Sequence, residues 1–252
     1  MSRIKTAIEI KELQRSGQII ANVLQLVAQA TRVGITTFEL NELAERLIKK
    51  AGGRPSFKGF GEPDPFPAAL CTSVNDQIVH GIPNSKPLQD GDIVGLDIGM
   101  VMNGLYTDTA VSVPVGSISP IAQKLLRVTE ESLRLAIDQC WPDKTLGDIG
   151  YAIQSYVEKK GFAVVRDLVG HGVGHAVHEW PSVPNFGQPN RGEKLKPGMV
   201  LAIEPMVVTG SYEIDYEDDG WTIRTADHGL AAHFEHTIAI TDRGPIVITK
   251  HV

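Results

Sequence analysis

Four carboxylates and one imidazole occupy strand-like stretches of this sequence in a pattern that could hold metal ions. Asp97 and Asp108 lie in IVGLDIGMVMNGLYTDTAVSV, His171 in GHGVGH, Glu204 in LAIEPM and Glu235 in HFEHT. Glu204 is the most informative, because it interrupts an otherwise apolar run and is followed by Pro205, which has no N–H to give to a ladder. A buried carboxylate is costly unless it is paired or ligates a metal. As a set on predicted strands of one sheet, the five match what two divalent cations need: bridging carboxylates, a separation of about 3.5 to 4 Å and an open edge for water. Oxygen-rich ligation with a single histidine and no cysteine favours harder ions such as manganese, iron or cobalt over a structural zinc. Taken singly, each residue also has an ordinary structural explanation, and spacing alone does not make them converge.

The element that must position the two aspartates is a hairpin over residues 93–113. Asn103-Gly104 suits the two φ > 0 positions of a type I′ turn, the strongest short-range hairpin signal. With a two-residue loop, Met102 opposes Leu105, Asp97 faces Ala110 and Gly99 faces Asp108. The aspartates are then diagonal neighbours on one face, about 7 Å apart at Cβ. Val94, Leu96, Ile98, Thr109, Val111 and Val113 form the opposite, core-facing surface, while Gly95, Gly99, Ala110 and Ser112 leave room beside the acids. Such a pair can converge on one cation or two; two solvated aspartates on an exposed face fit the hairpin equally well. Further on, alternation along the predicted strand AAHFEHTIAIT puts Ala231, His233, Glu235 and Thr237 on a polar face and Ala232, Phe234 and Ile238 on the other.

The rest of the chain reads as two helix pairs, each followed by strands. From about Ile4 to Ala30, apolar residues at Ile8, Leu13, Ile20, Leu24 and Val27 approximate a 3.6 period. Thr36 and Glu39 form a capping box before the stripe Leu40, Leu43, Ala44, Leu47 and Ile48, and Gly52-Gly53 ends that helix. Ser119-Pro120 opens a third helix to about Gln139, and Thr145 with Asp148 a fourth that ends at Gly161. Between the first pair and the hairpin lies a Pro/Gly/Phe loop, residues 55–67, which reads as a surface element with exposed aromatics and serves either as a lid over the core or as a wall for a substrate. A strand over 68–73 follows, and His80 stands at a strand end held by Gly81 and Pro83. The repetition without a linker predicts an α+β single domain, 1–252, in two similar halves, 5–165 and 166–252.

Composition narrows the function classes. A chain of 252 residues that is 42% hydrophobic can bury a sizeable core. A net charge of -6 with interspersed signs and no basic run argues against nucleic acid or an anionic membrane as partner. No stretch approaches a transmembrane span, and MSRIKTAIEIKELQRS is too charged for a signal peptide. Cys71 and Cys140 are too few for a disulfide framework, so a reduced, cytoplasmic location is expected.

Asp97 and Asp108 eleven residues apart, GHGVGHAVHE around His171 and His178, IEP at Glu204, FEHT at Glu235, SVNDQIVHGIP at His80, and Trp221 together resemble the type I methionine aminopeptidases, essentially from residue 5 to 250. The resemblance implies the pita-bread fold, α+β with two pseudo-symmetric halves about a central antiparallel sheet and helices on its outer face. It implies a metallo-exopeptidase with two divalent ions (cobalt, manganese or iron) that removes the initiator methionine from nascent proteins when the second residue is small. Attack on the first peptide bond would come from a metal-bound water or hydroxide. By position, Asp97 binds one metal, Asp108 and Glu235 bridge the two, and His171 and Glu204 complete the other. Glu204 is also the implied proton acceptor, while His178 and His80 hydrogen-bond the substrate amide and the developing oxyanion or pass a proton to the leaving amine. The implied methionine pocket includes Cys71 and Trp221, with Phe57 or Phe60 as an aromatic wall. Trp141, Trp180 and Cys140 are read as structural, and His175 as a neighbour of the site. The implied partner is the N-terminal methionine of nascent chains at the ribosome, with no nucleic acid and no membrane; a monomer is the family default. Two features depart from the pattern: Val177 stands where many bacterial members carry a bulky aromatic, and GFGEPDPFPA is longer than the common compact loop.

Four other readings compete. An Xaa-Pro aminopeptidase or prolidase of the same fold would carry a large N-terminal domain and a longer spacer than the seven positions from His171 to His178. A type II enzyme would need a helical insertion, for which the 33 residues from His171 to Glu204 and the 31 from Glu204 to Glu235 leave no space. A non-catalytic pita-bread binding protein would have lost metal ligands. A two-metal phosphoesterase would place more histidines and some Arg or Lys beside the acids.

Overall fold

The computed structural model describes residues 4–250, so both ends of the 1–252 span expected for the domain lie outside the described residues. The first half supplies helices α1 (Ala7–Ala30) and α2 (Thr37–Lys50) and strands β1 (Arg54–Pro55), β2 (Leu70–Val74), β3 (Gln77–Val79), β4 (Ile93–Met102) and β5 (Leu105–Pro114). A second helix pair, α3 (Pro120–Ile137) and α4 (Leu146–Lys159), leads into β6 (Ala163–Val164), β7 (Val169–Gly172), β8 (Glu179–Pro184), β9 (Val200–Ile203) and β10 (Met206–Val208). The last strands are β11 (Ile214–Tyr216), β12 (Ile223–Thr225), β13 (Ala231–His233), β14 (Glu235–Thr241) and β15 (Gly244–Val247). Among the described residues no helix is long and apolar enough to cross a membrane.

Local chemistry sets the helix starts. Thr36 with Glu39 and Thr145 with Asp148 form reciprocal capping boxes, and Ser119 caps α3 with Pro120 at its first turn. A further box, Thr6 with Glu9, starts α1 at Ala7 rather than Ile4. Ile8 is 78% exposed and is no part of the apolar stripe; it lies five residues before Leu13, about 140° around the helix.

The main sheet has nine strands, all antiparallel, in the order β1-β4-β5-β14-β9-β7-β8, with β2 on β4 and β15 on β14. Two three-stranded sheets, β13-β10-β6 and β11-β12-β3, complete the β structure. The hairpin has the expected register, Asp97 opposite Ala110 and Gly99 opposite Asp108, with Asn103 and Gly104 both at positive φ. Its apolar face, Val94, Leu96 and Ile98, packs into one core with α1 and α2. Leu201, Ile203, Ile238 and Ile240 pack into a second core with α3 and α4. Both helix pairs thus pack on the face of the main sheet opposite to Asp97, Asp108 and Glu235.

α3 and α4 share their core with strands from beyond residue 165. One expectation changes. The predicted strand AAHFEHTIAIT divides at Phe234, where β13 leaves the small sheet and β14 joins the large one. Turn chemistry holds the hairpin against which β1, β2 and β14 pair. A Cβ at Gly104 would meet nothing within 4 Å, so substitution there costs backbone conformation alone. Gly104→Ala is expected to lower the unfolding free energy by about 1–2 kcal/mol, read from the midpoint of urea unfolding.

Candidate metal centre

Register alone gathers most of the site, because opposed residues of antiparallel strands share a face. Cys71, Asp97, Ala110 and Glu235 stand in one row across β2, β4, β5 and β14. Asp108 is opposite Gly99, two residues along from Asp97, and so joins the same face. Thr237, two residues along from Glu235, opposes Ala202, which in turn opposes His171. Glu204 does not sit on a strand, contrary to the expectation of five residues on strands of one sheet. The β9 ladder ends at Ile203, Pro205 cannot extend it, and the chain crosses to β10 of a small sheet with Glu204 at the crossing. Asn185 Nδ2 donates to the Glu204 carbonyl at 3.0 Å and holds the backbone there.

Ligand atoms of Asp108, His171 and Glu235 lie within 4.8 Å of one another. Glu204 Oε1 is 3.4 Å from His171 Nε2, and its Oε2 is 3.5 Å from His233 Nε2. His171 Nδ1 donates to the Gly172 carbonyl at 2.9 Å, which leaves the Nε2 lone pair facing the acids. Asp108 and Glu235 are buried, and Asp97 Oδ1, Asp108 Oδ1 and Glu235 Oε1 have no hydrogen-bond partner among the described residues. Burial and repulsion by neighbouring carboxylates push Asp108 and Glu235 well above the ordinary carboxylate range and Asp97 up to about 7. Burial presses on Glu204 too, but the His233 and His171 imidazoles outweigh it and hold that carboxyl below its ordinary value. Orphaned carboxylate oxygens, crowded and buried beside one bare imidazole nitrogen, are a donor set that fits divalent cations.

A cavity of about 360 Å³ opens in front of these acids. His80, His178, Cys71, Trp221, Phe57 and Phe60 all line it. His80 adopts a left-handed φ of 59° just after β3. The His171 and His178 rings meet edge to face at 4.3 Å, and Phe60 meets His178 in the same way at 5.1 Å. Burial lowers His80 and brings His178 down to about 4, so both imidazoles are neutral near pH 7. The 55–67 loop forms a wall: Phe66 is buried rather than exposed and packs on Trp221 at 5.3 Å, while Trp221 Nε1 donates to the Asp64 carbonyl at 3.0 Å. Val177 is buried and lines the cavity; Trp141, Trp180, Cys140 and His175 do not.

Sequence reasoning gave no role to His233, which braces Glu204, nor to Phe66, Leu168 and Met206 in the lining. The signal for His233 was its position two residues before Glu235. Its orientation survives the break between β13 and β14 because Ser112 Oγ exchanges two hydrogen bonds with the His233 backbone, each 2.9 Å.

A model of metallopeptidase family M24 matches residues 11–242. The curated methionine aminopeptidase of Clostridium perfringens is 52% identical over 247 residues, 98% of each chain. The chain belongs to family M24, in its methionine aminopeptidase branch. The crystal structure of the methionine aminopeptidase from Thermotoga maritima is 44% identical and superposes with a TM-score of 0.97 over all of both chains. A prolidase from Pyrococcus horikoshii, 23% identical at a TM-score of 0.78, covers 99% of this chain, which covers 64% of that one; it shares the fold alone. The matched structures carry the pita-bread architecture that the resemblance implied.

The unpartnered acids predict how the protein responds to metal. In the presence of a chelator, Asp108→Asn is expected to melt at a higher temperature than the parent, because one buried like charge is gone. On addition of manganese the parent's melting temperature rises and that of Asp108→Asn does not, as a thermal-shift measurement will show.

Proposed function

We propose that this protein is a two-metal aminopeptidase that removes the initiator methionine from nascent polypeptides when the second residue is small. It acts as a cytoplasmic monomer on chains leaving the ribosome. The observation that carries this reading is the gathering of Asp97, Asp108, His171, Glu204 and Glu235 beside a cavity with a histidine-flanked floor and an aromatic wall. The near full-length match to proteins named methionine aminopeptidase supports it.

Asp97, Asp108, His171, Glu204 and Glu235 would together hold the two ions, and the oxygen-rich set would suit manganese, iron or cobalt. Bound divalent ions supply Lewis acidity, lowering the pKa of water at the site and polarising the scissile carbonyl. Glu204, kept ionised by His171 and His233, accepts the proton of the attacking water. His178 and His80, neutral through burial, hydrogen-bond the substrate amide and the oxygen on which negative charge develops. Cys71, Phe60, Phe57 and Trp221 receive the methionine side chain, whose thioether packs well on aromatic edges.

Protein stripped of metal and reloaded with manganese, iron or cobalt is expected to cleave Met-Ala-Ser and scarcely Met-Arg-Ser or Ala-Pro-Ala. Faster release of the first residue from Xaa-Pro peptides overturns the assignment. Glu204→Gln is expected to reduce kcat by about 100-fold or more; retained turnover removes Glu204 as the proton acceptor.

A further inference from the structure

Away from the acids, a buried ion pair joins the N-terminal segment to the loop that carries His178. Lys5 Nζ lies 2.6 Å from Glu179 Oε2, with the two side chains 1% and 5% exposed. The other Glu179 oxygen accepts the N–H groups of His175 at 2.5 Å and Ala176 at 3.0 Å. One carboxylate therefore holds the lysine and ties down the 173–178 loop. The stem of Lys5 lies against Gly174, where a Cβ would collide with Lys5 Cε. A second arm joins the same segments: His175 Nε2 is 2.6 Å from Glu9 Oε1, and Glu9 also caps α1.

Stability alone accounts poorly for this arrangement. Replacing a buried ion pair by apolar groups is often neutral or stabilising, because desolvation offsets the attraction. What the pair does supply is a side-chain anchor at Glu179, the first residue of β8, where the ladder to β7 is irregular. The β7–β8 register shifts between His171 and Gly172, so the ladder is irregular where the chain leaves His171 for His178. Glu179 is the residue directly after His178, and its carboxylate is anchored from outside the loop. We propose that the Lys5–Glu179 ion pair, aided by Glu9–His175, positions the His178 imidazole at the cavity. The inference rests on the substrate-binding role given to His178 above. Lys5 and Glu179 do not line the cavity, so they are positioning residues and not catalytic ones.

A double-mutant cycle separates positioning from simple loss of stability. Glu179→Gln and Lys5→Met are each made alone and combined with His178→Ala, and kcat for Met-Ala-Ser is measured on the metal-loaded protein well below its melting temperature. Each single variant is expected to lose about tenfold or more in kcat, since misplacing a group by about 1 Å costs up to about 100-fold. In the His178→Ala background the same substitutions are expected to change kcat by less than about twofold, because the group they position is absent. Val27→Ala, which destabilises α1 in the core far from this loop, keeps the parent's kcat. Wild-type kcat in the folded single variants, or losses that add fully to that of His178→Ala, overturns the inference. Undiminished turnover by His178→Ala itself instead overturns the role of His178. His175→Ala, at a part-exposed position, carries the same cycle where the buried substitutions do not fold.

Discussion

The structure depends on a concentration of buried negative charge that the protein does not neutralise with cations of its own. Asp97, Asp108, Glu204 and Glu235 face one cavity whose lining contains no Lys or Arg. Three of their oxygens have no hydrogen-bond partner among the described residues. Such an arrangement persists only if the surrounding fold over-determines it. The backbone supplies that rigidity. Thr237 Oγ1 takes the Asp108 N–H and donates to the Asp108 carbonyl, and Thr109 Oγ1 donates to the Glu235 carbonyl. β5 and β14 are therefore tied together beside Asp108 and Glu235, the acids they carry.

The division of the sheet into two faces follows from the same constraint. In the core that β4 and β5 share with α1 and α2, Val94, Leu96, Ile98, Met100, Val111 and Val113 lie on the parity opposite to Asp97 and Asp108. The second half repeats this with Ile238 and Ile240 opposite Glu235 and Thr237. Hydrophobic burial on one face thus supplies the free energy that tolerates electrostatic crowding on the other. The prolidase fold shows that this scaffold is not itself a function; the lining of the cavity sets the reaction.

What was legible in the sequence was local. The Asn103-Gly104 turn and strict alternation gave the hairpin register, and Pro205 marked the end of a ladder beside Glu204. Three of the four helix starts could be read from caps, whereas the Thr6–Glu9 box passed unnoticed and Ile8 was placed on the wrong side of α1. The break at Phe234 was invisible because alternation continues unchanged through it while hydrogen-bonding partners switch from one sheet to another. The 55–67 loop could be read from its own residues as a lid or a wall, but its bond from Trp221 to Asp64 spans 157 positions, a contact that no local pattern encodes. The Lys5–Glu179 pair spans 174 positions and was equally hidden.

On the function proposed above, these five side chains would hold two ions between them. Anomalous diffraction from crystals of the manganese-loaded protein tests it most directly. Two peaks about 3.5–4 Å apart are expected, one against Asp97 and the other against His171 and Glu204, with Asp108 and Glu235 shared by both. A single peak at full loading, or peaks held by residues outside this set, would contradict it.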